Sequence, residues 1–188
     1  MPHILLDEEL PGIRGLLAFS PHTAAPLGAL TELLMRDEPG ISRADRELIG
    51  MYVSHLNDCF YCSQSHAEIA VCYLNGDRDL IEYVRKDFMH AAITEKLKSL
   101  LRIAAKVQQS GKAVLPEDIE NARQQGASDR DIHDTVLIAA AFCLMNRYVD
   151  GLATITPSDL SSYPVRARQV AEQGYGPHLY TTTPSDNN

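Results

Sequence analysis

The apolar residues of this chain recur mostly at intervals of three and four positions, which is the spacing of amphipathic helices. Alternation of apolar and β-branched residues over the length of a strand is scarce. Residues that favour helix ends punctuate the pattern: Thr94 precedes one amphipathic stretch and Gly111 follows it, while Ser42 and Ser128 precede two others. The pattern therefore predicts an all-α protein folded as a single-domain helical bundle.

The length of 188 residues suits one domain with a hydrophobic core and is short for two, so we assign residues 1–188 to one domain. We place the core at about residues 26–155 and predict a mobile tail over residues 179–188. The stretch "SDRDIHDTVLIAAAFCLMNRYVDG" is the most hydrophobic helix and is expected at the centre of the core. Its apolar residues 135–145 offer more apolar surface than one subunit can cover, which predicts a homo-oligomer.

The segment "NDCFYCSQSH" holds a close set of reactive side chains. On a helix that advances about 100° per residue, Cys62 lies roughly 60° and His66 roughly 20° from Cys59, so the three share one face. Asn57 and Asp58 are suitable capping residues, which predicts that a helix begins at the cysteines. The dipole and free N–H groups of such a helix would stabilise a thiolate in its first turn, although the charge of Asp58 opposes this effect.

Glu47 can assist this set only if the chain turns back between them. In one straight helix, Glu47 would lie about 18 Å from Cys59 along the axis and on another face. A break at Asn57 and Asp58 would let two helices fold against each other and bring Glu47 toward His66. A carboxylate in that position would orient the imidazole as a base for a cysteine.

Three interpretations of the segment stay open from the residues alone: a redox pair with its base, a metal site, and the buried face of a helix. A metal could draw on Glu47 or His55 besides the cysteines and histidine, but structural zinc sites usually bring a second closely spaced ligand pair. Free cysteine is also often simply buried. We favour the redox pair, with His55 as a possible lining residue one turn before Cys59 and with Cys72 and Cys143 as inert buried thiols.

Charge and hydropathy restrict the partners and the compartment. The formal net charge of -8 argues against nucleic acid or an anionic membrane as the main partner. No apolar run approaches the roughly 20 residues that span a bilayer, and the start "MPHILLDEELPG" lacks the regions of a signal peptide. These features predict a cytoplasmic protein, where a close thiol pair is more often catalytic, redox-active or metal-binding than a structural disulfide.

The reactive residues also follow a family pattern. Glu47, Cys59, Cys62 and His66 are spaced E-x11-C-x2-C-x3-H, which resembles the active site of the alkylhydroperoxidase D-like branch of the carboxymuconolactone decarboxylase superfamily. The flanking "SRADRELIGMYVSHLNDCFYCSQSH" is more similar still to the peroxidase-related proteins of that branch. A weaker resemblance extends through "MNRYVDGLATITP" to "YGPHL", so it covers most of the chain.

This resemblance implies an all-helical fold that assembles as a trimer or hexamer, and a thiol-dependent peroxidase cycle without metal or organic cofactor. Cys62 would attack a small peroxide, Cys59 would resolve the sulfenic acid as a disulfide, and His66 and Glu47 would relay the proton. The implied partners are the peroxide and a thiol reductant or adaptor protein whose identity the resemblance leaves open.

One residue departs from the pattern. The alkylhydroperoxidase D pattern has a further histidine just before the second cysteine, where this chain has Tyr61. We therefore expect Tyr61 to line the pocket, with a shorter relay and a lower activity or another substrate. A redox-sensing or assembly protein with a switching disulfide is the alternative from another class. A decarboxylase-like enzyme of the same superfamily is less favoured, because that branch characteristically lacks the cysteine pair.

Overall fold

The computed structural model describes residues 1–181, and every regular element in that range is a helix. The helices are α1 (Ile13–Phe19), α2 (Pro21–Arg36), α3 (Arg43–Leu56), α4 (Phe60–Tyr73), α5 (Arg78–Asp87), α6 (Glu95–Gln109), α7 (Pro116–Gln124), α8 (Asp129–Gly151) and α9 (Ser162–Gln173), with short 3₁₀ helices at Gly111–Ala113 and Pro177–Leu179. The predicted all-α class is confirmed. The helices pack around one main core, in which α3 contacts α4, α6 and α8.

The central helix of the core is α3, not α8 as we expected from hydrophobicity. Its apolar residues Leu48, Ile49, Met51 and Val53 are at most 1% exposed. In contrast, α8 leaves Leu137 38% exposed and Leu144 52% exposed. Hydrophobicity ranks α3 lower because the helix also carries charged residues, and these are buried together with their partners.

One of those charged residues joins three helices. The guanidinium of Arg46, 1% exposed, donates to Asp134 Oδ2 of α8 at 2.8 Å. It also donates to the carbonyl oxygens of Leu34 at 2.7 Å and Ile41 at 3.0 Å. A buried charge is tolerated only when it is paired and hydrogen-bonded, so these contacts hold α3 against α8 and the end of α2.

A glycine lets α3 and α8 approach closely. A Cβ atom on Gly50 would lie 2.4 Å from Cζ of Phe142, well inside van der Waals contact. The ring of Phe142 therefore lies directly over α3. It also meets the imidazole of His66 edge to face, with ring centroids 4.6 Å apart. The helix contact thus supports a residue of the reactive set.

The core extends further toward the C-terminus than we expected. Leu179 and Tyr180 are buried and pack with Ala167 and Val170 of α9, so these two residues belong to the packed body rather than to a mobile tail. Their side chains pack between helices. The polar composition of the C-terminal segment did not indicate this packing. The rest of the predicted tail, residues 182–188, lies outside the described residues. Over residues 1–181, no helix has the length and apolarity required to cross a membrane.

Candidate active site

The two helices that carry the reactive set are joined by a tight turn. Helix α3 ends at Leu56 and α4 begins at Phe60. Between them, Asp58 has a positive φ of 56°, a left-handed conformation that Asp tolerates better than most residues. The turn folds α4 back along α3, as the predicted break at Asn57 and Asp58 requires.

The cap of α4 differs from our expectation. Its N-cap residue is Cys59 itself, which makes no side-chain cap hydrogen bond. The amide of Asn57 instead holds the turn in place: it donates to Asn146 Oδ1 at 2.8 Å and accepts from Gln108 Nε2 at 2.9 Å. The helix thus begins where predicted, but its preceding polar residues bond neighbouring helices rather than the free N–H groups of α4.

The two thiols lie in contact at this helix start. Both are free, and Cys59 is 0% and Cys62 6% exposed. The Sγ atoms are 2.8 Å apart, with the Cys59 thiol as donor. This hydrogen bond, with burial and the charge of Cys62, raises the pKa of Cys59 far above its usual range. Cys59 therefore keeps its proton.

The turn brings Glu47 to His66. Glu47 is completely buried, and its Oε2 atom lies 2.7 Å from Nδ1 of His66. A carboxylate can only accept, so Nδ1 carries the proton when Glu47 is ionised and Nε2 is left as the free base. The structure thus brings together Glu47 and the imidazole that we expected it to orient.

A third residue completes the hydrogen-bonded group. The phenol of Tyr175, just after α9, donates to Glu47 Oε1 at 2.6 Å. Its ring stacks against His66 with centroids 6.1 Å apart. Burial, together with the charge of Glu47, raises the pKa of Tyr175 well above its usual value, so the phenol stays a donor. We did not single out Tyr175 from the sequence; the only signal was its place in the "YGPHL" segment.

An apolar cavity of about 100 Å³ opens beside this group. Cys62, His66 and Tyr175 line it together with Tyr61, which we expected to line the pocket. Most of the remaining wall is apolar: Ile13, Leu17, Leu27, Leu34, Met35, Ile69, Phe142, Met145, Val170 and Leu179. The cavity can therefore hold a small molecule with an apolar body against the Cys62 sulfur.

Cys59 faces a different opening. A cleft of about 220 Å³ is lined by Cys59 and Phe60 together with the polar residues His55, Asp58, Ser63, Gln64 and Arg85. His55 thus lies on the Cys59 side and does not line the cavity of Cys62. Burial and the neighbouring guanidinium of Arg85 lower the pKa of His55. The two sulfurs therefore contact each other, but Cys59 and Cys62 line different openings.

The other thiols lie away from this group. Cys72 is exposed, in contrast to the buried thiol that we expected, because it lies on the outer face of α4. Burial of part of its surface and the charge of Glu68 raise its pKa, which disfavours the thiolate. Cys143 is partly buried and accepts a weak hydrogen bond from Asn57 at 3.6 Å. Within residues 1–181, no three His, Cys, Asp or Glu side chains converge as metal ligands would.

Comparisons with known proteins find one family match and several similar structures. The sequence profile of the carboxymuconolactone decarboxylase family matches residues 21–85, which include all four residues of the predicted reactive set. A peroxidase-related protein from Silicibacter sp. TM1040 is similar in structure, with a TM-score of 0.73, 29% identity, and coverage of 82% of this chain and 78% of that one. No curated protein sequence matches the chain.

Two further solved structures share the fold. The alkylhydroperoxidase AhpD core of a peroxidase-related protein from Ralstonia eutropha JMP134 has a TM-score of 0.74 at 26% identity, covering 84% of this chain and 81% of that one. The debrominase Bmp8, solved as a cysteine-to-alanine variant with 2,3,4-tribromopyrrole, has a TM-score of 0.67 at 16% identity, covering 86% and 83%.

The described fold is all-helical, and the segment that carries the reactive set matches the carboxymuconolactone decarboxylase family. The similarity to the two peroxidase-related structures, at 29% and 26% identity, supports the alkylhydroperoxidase D-like branch of that superfamily.

Proposed function

We propose that this protein is a thiol-dependent peroxidase that reduces small organic hydroperoxides with its Cys59–Cys62 pair. One observation carries the proposal: two reduced Sγ atoms lie 2.8 Å apart, and one of them shares an apolar cavity with an imidazole that a buried carboxylate orients. A disulfide needs a separation of about 2.05 Å, so the pair closes with a movement of less than about 1 Å.

The first step takes place at Cys62. Its thiolate attacks the terminal oxygen of the hydroperoxide, so an S–O bond forms and the O–O bond breaks. The alkoxide leaves and takes a proton from the imidazolium of His66, which had received it from the Cys62 thiol. The products are an alcohol and a sulfenic acid on Cys62, and Glu47 stabilises the positive charge of His66 in between.

The second step closes the disulfide. The Cys59 sulfur attacks the Cys62 sulfenic sulfur, and the hydroxyl leaves as water with the proton that Cys59 gives up. An external thiol or dithiol then reduces the disulfide by exchange, attacking one sulfur and releasing the other as a thiol. The cleft lined by Cys59 is separate from the peroxide cavity, and it is the side on which we place the reductant or adaptor protein.

Two features support the assignment of Cys62 as the attacking thiol. Cys62 lines the cavity together with His66, whereas Cys59 does not. Cys59 also keeps its proton because its hydrogen bond to Cys62 and its burial raise its pKa.

Mass spectrometry of alkylated protein before and after one equivalent of cumene hydroperoxide tests the cycle. We expect a Cys59–Cys62 disulfide with Cys72 and Cys143 still reduced. Cys62→Ser should abolish turnover with a thiol reductant, whereas Cys59→Ser should react once and stop as a sulfenic or over-oxidised acid. Cys72→Ser is the matched control and should retain wild-type turnover.

Three outcomes separate the alternatives. A disulfide that forms once, without turnover in excess reductant, would favour the redox-sensing or assembly protein. Unchanged Cys59 and Cys62 thiols would refute the peroxidase and the redox switch together. Trapping of sulfenic acid only in the Cys62 variant would exchange the two roles. The test is needed because one fold supports several reactions, as the debrominase illustrates.

A further inference from the structure

Helix α4 presents a second row of side chains next to the reactive one. Cys62 and His66 are four residues apart and share one row, and Tyr61 and Ser65 form the neighbouring row, about 100° around the helix. Tyr61 and Ser65 line both the apolar cavity and a second cavity of about 90 Å³ on the side of α1 and α9. The two cavities thus meet along this second row.

Two arginines converge where the cavities meet. Arg166 of α9 lines both cavities, and Arg14 of α1 lines the second. Both donate to the same carbonyl oxygen, that of Leu179: Arg14 Nε at 2.6 Å and Arg166 Nη1 at 3.3 Å. Among residues 1–181, neither guanidinium bonds a carboxylate, unlike Arg46 and Arg78. Two partly buried positive charges therefore share one acceptor in a chain whose formal net charge is -8.

The neighbouring groups are suited to an anion. The Oγ atom of Ser65 is buried and has no hydrogen-bond partner among the described residues. Burial raises the pKa of Tyr61, so its phenol remains a hydrogen-bond donor. Burial also lowers the pKa of Arg166, and the charge of Arg14 adds to this shift, whereas Tyr61 and Tyr175 oppose it. An anion bound here would supply the missing partner to both arginines and to Ser65.

We propose that Arg166, Arg14, Tyr61 and Ser65, here called the arginine site, bind the carboxylate of the substrate. A guanidinium matches a carboxylate in shape and can bond both of its oxygens. The apolar body of the substrate would then lie in the main cavity, with its reacting oxygen at Cys62 Sγ in the next row of α4. This inference rests on the proposed peroxidase and assigns its substrate class: organic hydroperoxides that carry a carboxylate. It also gives Tyr61, the residue that departs from the family pattern, a role in binding.

Binding of a non-reactive acid tests the arginine site without requiring turnover. We would titrate the purified protein with 4-isopropylbenzoate and with its methyl ester by calorimetry. We expect the wild type to bind the acid more tightly than the ester. Arg166→Gln should weaken binding of the acid about tenfold to a hundredfold and leave that of the ester within about twofold, since a charge-assisted hydrogen bond is lost. Arg168→Gln, an exposed arginine on the same helix, is the matched control and should retain the preference.

Ser65→Ala provides a second, smaller change in case Arg166→Gln proves unstable, since the Ser65 Oγ atom makes at most a weak contact with Tyr61. It should weaken binding of the acid about twofold to tenfold and not that of the ester. Equal binding of acid and ester by the wild type would overturn the arginine site. The arginine site would also be overturned if Arg166→Gln bound acid and ester equally less tightly and Ser65→Ala bound both as the wild type does. A structural defect in Arg166→Gln would weaken binding of both ligands alike.

Turnover separates this inference from the proposed function. With the hydroperoxide of 4-isopropylbenzoic acid and its methyl ester as substrates, Arg166→Gln should raise KM for the acid about tenfold or more and leave kcat nearly unchanged. Turnover of both substrates without a preference for the acid would leave the peroxidase standing and refute the arginine site. A preference in calorimetry without turnover would refute the peroxidase and leave the anion site standing.

Discussion

Replacing Tyr175 by Phe removes one oxygen from the centre of the site and little else. The Tyr175 hydroxyl donates to Glu47 Oε1 at 2.6 Å, and Glu47 is completely buried. The ring stacks on His66 at an interplanar angle of 18°, a contact that phenylalanine can keep. The substitution therefore isolates the hydrogen bond from the packing of the cavity.

The magnitude follows from the charge and burial of the acceptor. A hydrogen bond to a charged group contributes about 1.5–3 kcal/mol, and a buried acceptor that loses its donor cannot turn to water instead. Glu47 would keep only its contact with His66. We expect Tyr175→Phe to lower the free energy of unfolding by about 1.5–3 kcal/mol, which is about 3–12 °C in Tm for a domain of this size.

The loss of this hydrogen bond should also lower the rate of the reaction. A Glu47 side chain with one hydrogen bond instead of two orients His66 less strictly, so kcat/KM for the peroxide should fall about tenfold. Urea unfolding followed by circular dichroism measures the stability, and a coupled assay with a thiol reductant measures the rate. Tyr83→Phe, at an exposed tyrosine, is the matched control and should change neither quantity.

A stability within about 0.5 kcal/mol of the wild type would refute this account of Tyr175, since surface substitutions typically fall within that range. An unchanged kcat/KM with reduced stability would show that Tyr175 supports the fold and not the orientation of His66.

Three further outcomes are expected. Gly50→Ala should lower the free energy of unfolding by about 1–3 kcal/mol and lower the activity, because the added Cβ displaces the Phe142 ring that packs on His66. Thermal unfolding measures the stability, and the peroxidase assay measures the activity. Burial opposes ionisation of Asp134, but hydrogen bonds from its neighbours, including Arg46, outweigh burial and hold its pKa below the usual value. The contribution of Asp134 to stability should therefore be complete above about pH 4 and be lost as the pH falls through the lower folded pKa. Urea unfolding measured at several pH values should show that this loss of stability at low pH is absent in Asp134→Asn. Light scattering should find a trimer or hexamer, with Leu144 among the exposed apolar residues available to an interface; a mass near 20.8 kDa would contradict the oligomer.

Much of the local structure was predictable because it depends on residues close in the chain. The side chains of Ser42, Thr94 and Ser128 each accept from the backbone N–H three residues later, as N-cap residues do. Such a hydrogen bond requires no other helix, so the residue type and its position before an apolar stretch suffice to predict it. The spacing of Cys59, Cys62 and His66 likewise lies within one short segment, and the resemblance added Glu47 to it.

The position of each helix was not predictable in the same way. Hydrophobic content favoured α8 as the centre, but α3 lies there because Arg46 and Glu47 are buried with partners from α8 and from the segment after α9. Periodicity measures how apolar a face is, and it carries no information about a charge that is neutralised by a distant residue. Only the packed arrangement reveals that compensation.

The residues that complete the site come from distant parts of the chain for the same reason. Tyr175 lies 128 positions from Glu47, and the arginine site joins Arg14 near the start of the chain to Arg166 near its end. The sequence by itself determined that helices form, where several begin, and which thiols and imidazole share a face. The tertiary structure decided what surrounds them, because contacts between remote helices arise from the burial of whole faces and not from local spacing.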